Sequence, residues 1–190
     1  MARITATANT PGLSFKNRRL MDFVAIDFET ANYSADSACA IGLVKVAGGE
    51  IVETAVHFIR PPSRRFVFTY IHGLTWDHVA EADDFGTLWP KLTPLLEGAK
   101  FIAAHNASFD RGVLNACCAR HGLAAPAAPF RCTVQISRRM WNIYPTKLSN
   151  VCRELGIALN HHEALSDAMA CAQIVLAAKA KSRLTPNAPR

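Results

Sequence analysis

The chain has 190 residues, of which 50% are hydrophobic and 19% charged, enough for one domain with a sizeable core and unlike an intrinsically disordered protein. No apolar run approaches the roughly 18 residues of a membrane span, and the first twenty residues lack the apolar centre of a signal peptide, so we expect a soluble, cytoplasmic protein. The net charge of +6 comes from the two ends: residues 1–20 and 179–190 carry eight basic residues and no acids, which leaves −2 between them.

The ends of the chain also set the predicted domain boundaries. We interpret residues 1–20 as a flexible basic arm, residues 21–180 as a single domain, and residues 181–190 as a C-terminal tail. Basic ends can bind polyanions, but solvated, frayed ends have the same composition. Nucleic-acid binding by the domain therefore needs evidence of its own.

The first part of the domain has the pattern of three consecutive strands. Phe23–Phe28 is a short, continuous apolar run, which is typical of a strand buried on both faces. Cys39–Val46 and Ile51–Ile59 are strand-like and flank the turn residues Gly48 and Gly49. Strands joined by such short connections predict an antiparallel meander.

The rest of the domain alternates helices with short strands. The predicted elements are helices over 75–80 and 85–97, a strand over Phe101–His105, a helix over Ser108–Arg120 ended by Gly122, a strand over Phe130–Val134, and helices over Lys147–Leu155 and Ala164–Ala180. Three strands followed by this alternation predict an α/β fold, a mixed five-stranded sheet with helices on both faces.

The six cysteines give no sign of a metal or redox site. They include no Cys-x-x-Cys pair, and most have apolar neighbours, where cysteine behaves as a small hydrophobic residue. We therefore expect neither disulfide bonds nor a structural zinc site.

Two acids stand on one predicted strand, at Asp27 and Glu29. Side chains alternate along a strand, so both carboxylates project from the same face, about 6–7 Å apart at Cα. In a central strand, two like charges are unfavourable unless something neutralises them, and a divalent cation is the simplest candidate. The alternative is that the end of the strand is exposed and both acids are hydrated.

Further polar residues lie at the starts of predicted helices. Asp110 and Asp167 each fall in a first turn, where an acid is also favoured by the helix dipole alone. His162 and Asp167 converge if His162 precedes the last helix, and the neighbouring His161 is a rival for the same place. Taken one at a time, none of these residues identifies a site.

The set as a whole is more informative than its members, because four acids and one histidine come from four separate segments. Oxygen-rich ligand sets suit Mg²⁺ or Mn²⁺ rather than Zn²⁺. Two such ions about 3.5–4 Å apart can clamp a phosphodiester, activating the attacking water and stabilising the leaving oxygen. Two Mg²⁺ would also change the charge between the two basic ends from −2 to +2, which suits a polyanion.

Four segments, in this order, resemble the DEDDh family of 3′→5′ exonucleases, which includes the proofreading subunit of bacterial DNA polymerase III. The similarity runs from about Asp22 to Ala178. In chain order, the segments are Asp27-Phe28-Glu29-Thr30, Ile71-His72-Gly73-Leu74-Thr75 after the third strand, His105-Asn106-Ala107-Ser108-Phe109-Asp110, and His162-Glu163-Ala164-Leu165-Ser166-Asp167. The last of these segments favours His162 over His161.

The resemblance implies a ribonuclease-H-like fold and a two-metal site. It implies that Asp27, Glu29 and Asp167 bind one Mg²⁺ or Mn²⁺, that Asp27 also contacts a second ion, and that Asp110 helps to hold that second ion. His162 would deprotonate the attacking water, a task for a base with a pKa near neutrality. The expected products are nucleoside 5′-monophosphates released from a 3′ end.

The family resemblance also implies substrate contacts after the first segment and near Gly73. The residues concerned are Thr30, Ala31, Gly73, Leu74 and Phe109, of which we expect Phe109 to pack beneath the site. Additional candidates for phosphate contacts, on loops or element ends, are Arg64, Arg65, Arg138 and Arg139, and candidates for stacking on bases are Trp141 and Tyr144. Ordinary solvated or packed side chains explain each of them as readily.

Three functions are compatible with these residues. The leading one is a 3′→5′ exonuclease acting on single-stranded DNA or frayed duplex ends. The same chemistry on RNA is the first alternative, and a non-catalytic nucleic-acid-binding module is the second, although all five motif residues are present. The chain stops soon after the last predicted helix, so we expect a free-standing enzyme, with a polymerase partner possible but not favoured.

Overall fold

The computed structural model describes residues 22–184, so the predicted arm at 1–20 and the end of the predicted tail lie outside the described residues. Its centre is a mixed five-stranded sheet. The strands are β1 (Phe23–Thr30), β2 (Ala38–Ala47), β3 (Glu50–Phe58), β4 (Ile102–Ala104) and β5 (Phe130–Cys132). Their spatial order is β3-β2-β1-β4-β5, which places β1 at the centre as predicted.

The first three strands form the predicted antiparallel meander. β1 pairs with β2, and β2 pairs with β3 through a turn in which Gly48 and Gly49 adopt positive φ angles of 63° and 89°. β4 and β5 continue the sheet on the other side of β1 in parallel orientation. The predicted α/β fold with a mixed five-stranded sheet is therefore confirmed.

Within residues 22–184, seven helices and one 3₁₀ turn surround the sheet. They are α1 (Thr69–His72), α2 (Trp76–Val79), α3 (Phe85–Leu92), the 3₁₀ turn Thr93–Leu96, α4 (Ser108–Arg120), α5 (Thr133–Trp141), α6 (Leu148–Leu155) and α7 (Ala164–Leu184). The predicted helix over 85–97 changes to a 3₁₀ turn where Pro94 stands near its start. α7 continues four residues beyond the predicted end at Ala180. No helix within residues 22–184 combines the length and apolar character needed to cross a bilayer.

β1 is buried on both faces because helices cover each side of the sheet. Val24, Ile26 and Phe28 pack in a cluster with α3 and α4, while Phe23 and Ala25 face α7. Burying a large apolar side chain contributes about 1.5–3 kcal/mol, so this strand is among the most strongly held parts of the fold. All six cysteines are free thiols, five of them buried, as expected.

α7 lies unusually close to the sheet at Gly42 in β2. A Cβ atom added to Gly42 would collide with the backbone carbonyl of Ala164, the first residue of α7. Glycine is therefore needed at this position for space, at a backbone angle that any residue could adopt. The contact fixes the first turn of α7, which carries Asp167, against the central strands.

α5 is the largest element that sequence reasoning missed. Its first residues, Thr133 and Val134, favour strands, and they follow β5 without a turn signal, so the strand was predicted to continue through Val134. In the structure Thr133 and Ser137 form a buried stripe at helical spacing. Arg138 and Arg139 therefore lie in the last turn of a helix, in agreement with the predicted position on loops or element ends, and Trp141 is its final residue.

Candidate active site

The end of β1 delivers two carboxylates to the face of the sheet that α7 covers. Asp27 and Glu29 are separated by Phe28, which points into the opposite core cluster, as strand alternation requires. Asp167 lies in the first turn of α7 directly above them. Asp27, Glu29 and Asp167 each present a carboxylate oxygen within 4.8 Å of the other two.

Asp110 joins this group from the opposite side of β1. It lies in the first turn of α4, which begins after β4, the parallel neighbour of β1. Its side chain is 1% exposed and its Oδ1 accepts a hydrogen bond of 3.1 Å from the backbone N–H of Phe28. The bond anchors Asp110 between the two acids of β1.

The electrostatics of these carboxyls are dominated by burial and mutual repulsion. Burial raises the pKa of Asp27 well above its usual value, with smaller contributions from Asp110, Asp167 and Glu29. Burial and the neighbouring acids raise the pKa of Glu29 to about 8, and burial raises that of Asp110 to about 7. The neighbouring charges that raise these pKa values are those of other carboxylates.

These observations fit a divalent cation. Four carboxyls share a poorly solvated space, and the buried Oδ1 of Asp167 has no hydrogen-bond partner in the described protein. Carboxylate oxygens at this spacing are the ligands that hard ions such as Mg²⁺ and Mn²⁺ take in proteins. The donor set therefore has both the charge and the free oxygen that such an ion requires.

Two histidines close the site just before α7. His161 Nδ1 lies 2.9 Å from Asp167 Oδ2, and the backbone N–H of His162 donates to the same oxygen at 3.2 Å. The two imidazoles stack with their centroids 3.8 Å apart, and His162 adopts a left-handed φ of 70°, an uncommon backbone conformation for a residue other than glycine. Burial, and then the neighbouring His161, lower the pKa of His162.

The acids and histidines line an open cleft of about 330 Å³. Its walls are Asp27, Phe28, Glu29, Thr30, Phe68, Ile71, His72, Phe109, His161, His162 and Asp167. A second cleft of about 320 Å³ shares Thr30, Phe68 and Phe109 with it and continues past Tyr33 and Gly112. The site is therefore an acidic cleft that opens beside an aromatic-walled one.

The structure separates the predicted substrate residues into two groups. Thr30 and Phe109 line both clefts, and Phe109 is 47% exposed, so the expectation that it packs beneath the site is wrong. Ala31 is fully buried, and Leu74 packs in the same apolar cluster. Gly73 is exposed at the end of α1 with a φ of 76° and lines neither cleft. Ala31, Gly73 and Leu74 thus line neither cleft.

Two histidines that sequence reasoning quoted without a role hold this wall together. The Leu74 N–H donates to His72 Nδ1, which leaves Nε2 to donate to the Thr30 carbonyl at 3.1 Å. His105 bridges Thr133 and the carbonyl of Thr146. The sequence offers two signals for these roles: His72 stands next to Gly73 in one motif, and His105 is the first residue of another.

The other predicted contact residues lie outside both clefts. The Arg64 guanidinium stacks over Trp76 at 5.0 Å, and Arg65 offers its carbonyl to Asn32. Arg138 donates from Nε to Thr146 Oγ1 and lies 5.5 Å from the ring of Tyr144. Arg139 is exposed, Trp141 packs against α6 and its neighbours, and Tyr144 is 65% exposed.

Comparison with known proteins gives relatives in sequence and solved structures with the same fold. DNA polymerase III PolC-type of Clostridium perfringens (strain 13 / Type A) is 31% identical over 159 residues, which is 81% of this chain but only 11% of the polymerase. Exonuclease X in complex with 5′ overhanging duplex DNA superimposes with a TM-score of 0.69 at 24% identity, covering 85% of this chain and 93% of the other. The nuclease domain of 3′hExo, a DEDDh family member bound to rAMP, gives 0.74 at 19% identity, covering 90% and 96%.

The two structural likenesses concern the fold alone, and this chain spans about a tenth of the length of the polymerase it matches.

The family profile covers most of the domain. The profile of the RNase_T family, described as exonuclease, matches residues 24–175, which contain every motif discussed above. The chain therefore belongs to this exonuclease family, as its likeness to the DEDDh enzymes predicted.

Proposed function

We propose that this protein is a 3′→5′ exonuclease that hydrolyses the terminal phosphodiester of a nucleic acid with the help of two divalent cations. The observation that carries the proposal is the convergence of Asp27, Glu29, Asp167 and His162 on one cleft, with Asp110 buried beside them and bonded to the Phe28 N–H. A structural role would not require four carboxyls to share a space that raises the pKa of three of them.

The carboxylates are the proposed cation ligands. Asp27, Glu29 and Asp167 would hold one ion, and Asp27 and Asp110 the second. Bound Mg²⁺ or Mn²⁺ supplies Lewis-acid stabilisation of the charge that develops on the phosphate oxygens. The protein contributes by keeping Asp110 fixed through the Phe28 N–H and by leaving the Asp167 Oδ1 free to bind.

His162 is the proposed general base. It lies on the wall of the cleft, and its lowered pKa keeps the imidazole neutral at pH 7, the form that accepts a proton from water. The hydrogen bond from its backbone N–H to Asp167 ties its position to the acid cluster. As the water oxygen bonds to phosphorus, its proton would pass to a ring nitrogen of His162. The bond from phosphorus to the 3′ oxygen of the preceding nucleotide would break, and that oxygen would take a proton from solvent.

The aromatic-walled cleft is the proposed place for the base of the terminal nucleotide. Phe109 and Phe68 line both clefts, so a terminal base placed against them would have the phosphodiester on its 5′ side near Asp27. Stacking on an aromatic ring holds any base, which suits an exonuclease without sequence preference. Thr30 stands where the two clefts meet and is the polar residue nearest the sugar in this arrangement.

DNA is the favoured substrate, because relatives that are 30–31% identical to this chain are named DNA polymerase III PolC-type. RNA is the second candidate, supported by the fold shared with a nuclease domain bound to rAMP and with a 3′-exonuclease that recognises a histone mRNA stem-loop. The described cleft contains no residue set that singles out a 2′-hydroxyl, so sugar preference has to be measured.

The proposal is tested with single-stranded DNA and RNA of the same sequence, labelled at the 5′ end and at the terminal nucleotide in parallel. We expect stepwise shortening from the 3′ end, release of 5′-monophosphates, and no reaction in EDTA. Asp27→Ala should abolish turnover and retain the fold, whereas Asp77→Ala, an exposed acid outside the cleft, should behave like the unchanged protein. Oligonucleotide binding without any shortening in Mg²⁺ or Mn²⁺ would instead support a non-catalytic module.

A further inference from the structure

The proposed reaction does not use His161, a side chain on the wall of the acidic cleft that can bind a metal. It neither belongs to the acid cluster nor acts as the base, yet its Nδ1 lies 2.9 Å from Asp167 Oδ2 and its ring stacks on His162. His161, His162 and Asp167 each offer one ligand atom within 4.8 Å of the other two. The three residues form a second donor set that shares Asp167 with the first.

The chemistry of this second set differs from that of the first. Asp27, Glu29 and Asp167 offer oxygen only, which suits hard ions, whereas two imidazole nitrogens and one carboxylate suit a borderline ion such as Zn²⁺. Around tetrahedral zinc, ligand atoms at about 2.0–2.2 Å from the metal lie roughly 3.3–3.6 Å from one another. The His161 side chain is 38% exposed, so the small movements required meet little resistance.

One further observation favours a ligand at this place. His162 holds the left-handed backbone conformation that brings its ring beside that of His161. Strained backbone of this kind persists where the surrounding structure has a use for it.

We propose that His161, His162 and Asp167 form an inhibitory site for Zn²⁺. Zinc bound there occupies the lone pair of the imidazole that would take a proton from water and a carboxylate that would hold Mg²⁺. Zinc binding follows from the geometry of the three side chains, whereas the inhibition rests on the proposed exonuclease function. The two ions compete because they share Asp167.

The test compares the whole protein with three variants, using zinc chloride as the probe. His161→Ala removes one zinc ligand. His161→Gln also removes the nitrogen ligand but keeps a side-chain N–H that can donate to Asp167. His57→Ala removes an exposed histidine of β3 and serves as the control.

Zinc affinity is measured by calorimetry in a buffer containing saturating Mg²⁺, and Co²⁺ absorption reports nitrogen coordination. We expect the unchanged protein and His57→Ala to bind one equivalent and to lose exonuclease activity as zinc is added. Both His161 variants should retain their activity in Mg²⁺ alone and bind zinc at least tenfold more weakly, with a matching shift of the inhibition curve.

Equal zinc affinity and equal inhibition in the His161 variants would overturn the proposal, since zinc would then act at the oxygen-only set. Loss of zinc binding in His161→Ala but not in His161→Gln would also overturn it, because His161 would then only hold Asp167 in place. Calorimetry and Co²⁺ absorption do not need turnover. An inactive protein that still binds zinc through His161 would therefore contradict the exonuclease function and leave the zinc site standing.

Discussion

Asp167 is the residue on which the site depends most. Its Oδ2 receives the backbone N–H of His162 and contacts His161, while its Oδ1 remains free toward the acids of β1. One carboxylate thus links the proposed base to the proposed cation site. We therefore expect the activity of this cleft to depend on whether Asp167 contacts the histidines, a cation or both.

His162→Asn tests the proposed base without disturbing Asp167. Asparagine tolerates a left-handed backbone and keeps the N–H that binds the Asp167 carboxylate, so the cation ligands should stay in place. We expect single-turnover cleavage to fall by about 100- to 10,000-fold at pH 7 while Mn²⁺ affinity, measured by calorimetry, is retained. An equal loss from His161→Ala, with His162→Asn near normal, would assign the base to the other imidazole.

Phe109→Ala tests the aromatic wall. Removing a ring on which a base stacks weakens binding by about 1–3 kcal/mol, so KM for a single-stranded oligonucleotide should rise by roughly 5- to 150-fold with a smaller change in kcat. Phe58→Ala is a matched control, because Phe58 is also 47% exposed but lies on β3 away from both clefts. Equal KM values for the two variants would remove Phe109 from the substrate contacts.

At the scale of elements, the contact between β2 and α7 decides where Asp167 lies. α7 could be predicted from its apolar composition and length, but its height above the sheet could not, because that depends on a glycine about 120 residues earlier in the chain. The same holds for α5, whose Ile136 packs in both the α7 and α6 clusters, a packing position that local propensity does not encode.

Gly42→Ala tests this contact. A methyl group at Gly42 collides with backbone and not with a flexible side chain, so α7 must move away from β2. We expect a loss of about 1–3 kcal/mol of unfolding free energy, measured in urea, together with weaker Mn²⁺ binding as Asp167 shifts. Gly112→Ala in α4 is the control: a Cβ there meets nothing within 4 Å, so we expect unchanged or slightly higher stability. Parallel behaviour of the two variants would show that the contact has no such role.

For the whole molecule, the acid cluster makes the metal-free protein sensitive to pH. The raised pKa values of Asp27, Glu29 and Asp110 mean that the folded state binds protons more tightly than the unfolded state between about pH 4 and 8. The destabilisation caused by these buried charges is absent below the ordinary pKa values of the three carboxyls and complete above their raised pKa values. Stability without metal should therefore fall as the pH rises through this range.

Asp27→Asn tests that dependence by removing one charge from the cluster. In EDTA we expect the variant to melt higher than the unchanged protein at pH 8, by roughly 2–4 °C for each 1 kcal/mol of repulsion relieved, and to show little difference at pH 4.5. Saturating Mg²⁺ should raise Tm at pH 8 for the unchanged protein and much less for Asp27→Asn. A melting difference that is the same at both pH values would mean that relieved repulsion is not its cause.

The sequence by itself determined the order of the strands along the chain, the burial of β1 and the residues that gather at its end. These properties follow from local periodicity, from strand alternation, and from four motifs whose spacing is characteristic of one family. The contact of His161 with Asp167, the exposure of Phe109 and the closeness of α7 to Gly42 were decided only by the tertiary structure. Each depends on the distance between segments far apart in the chain, and such distances are set by how the surfaces of packed elements fit one another.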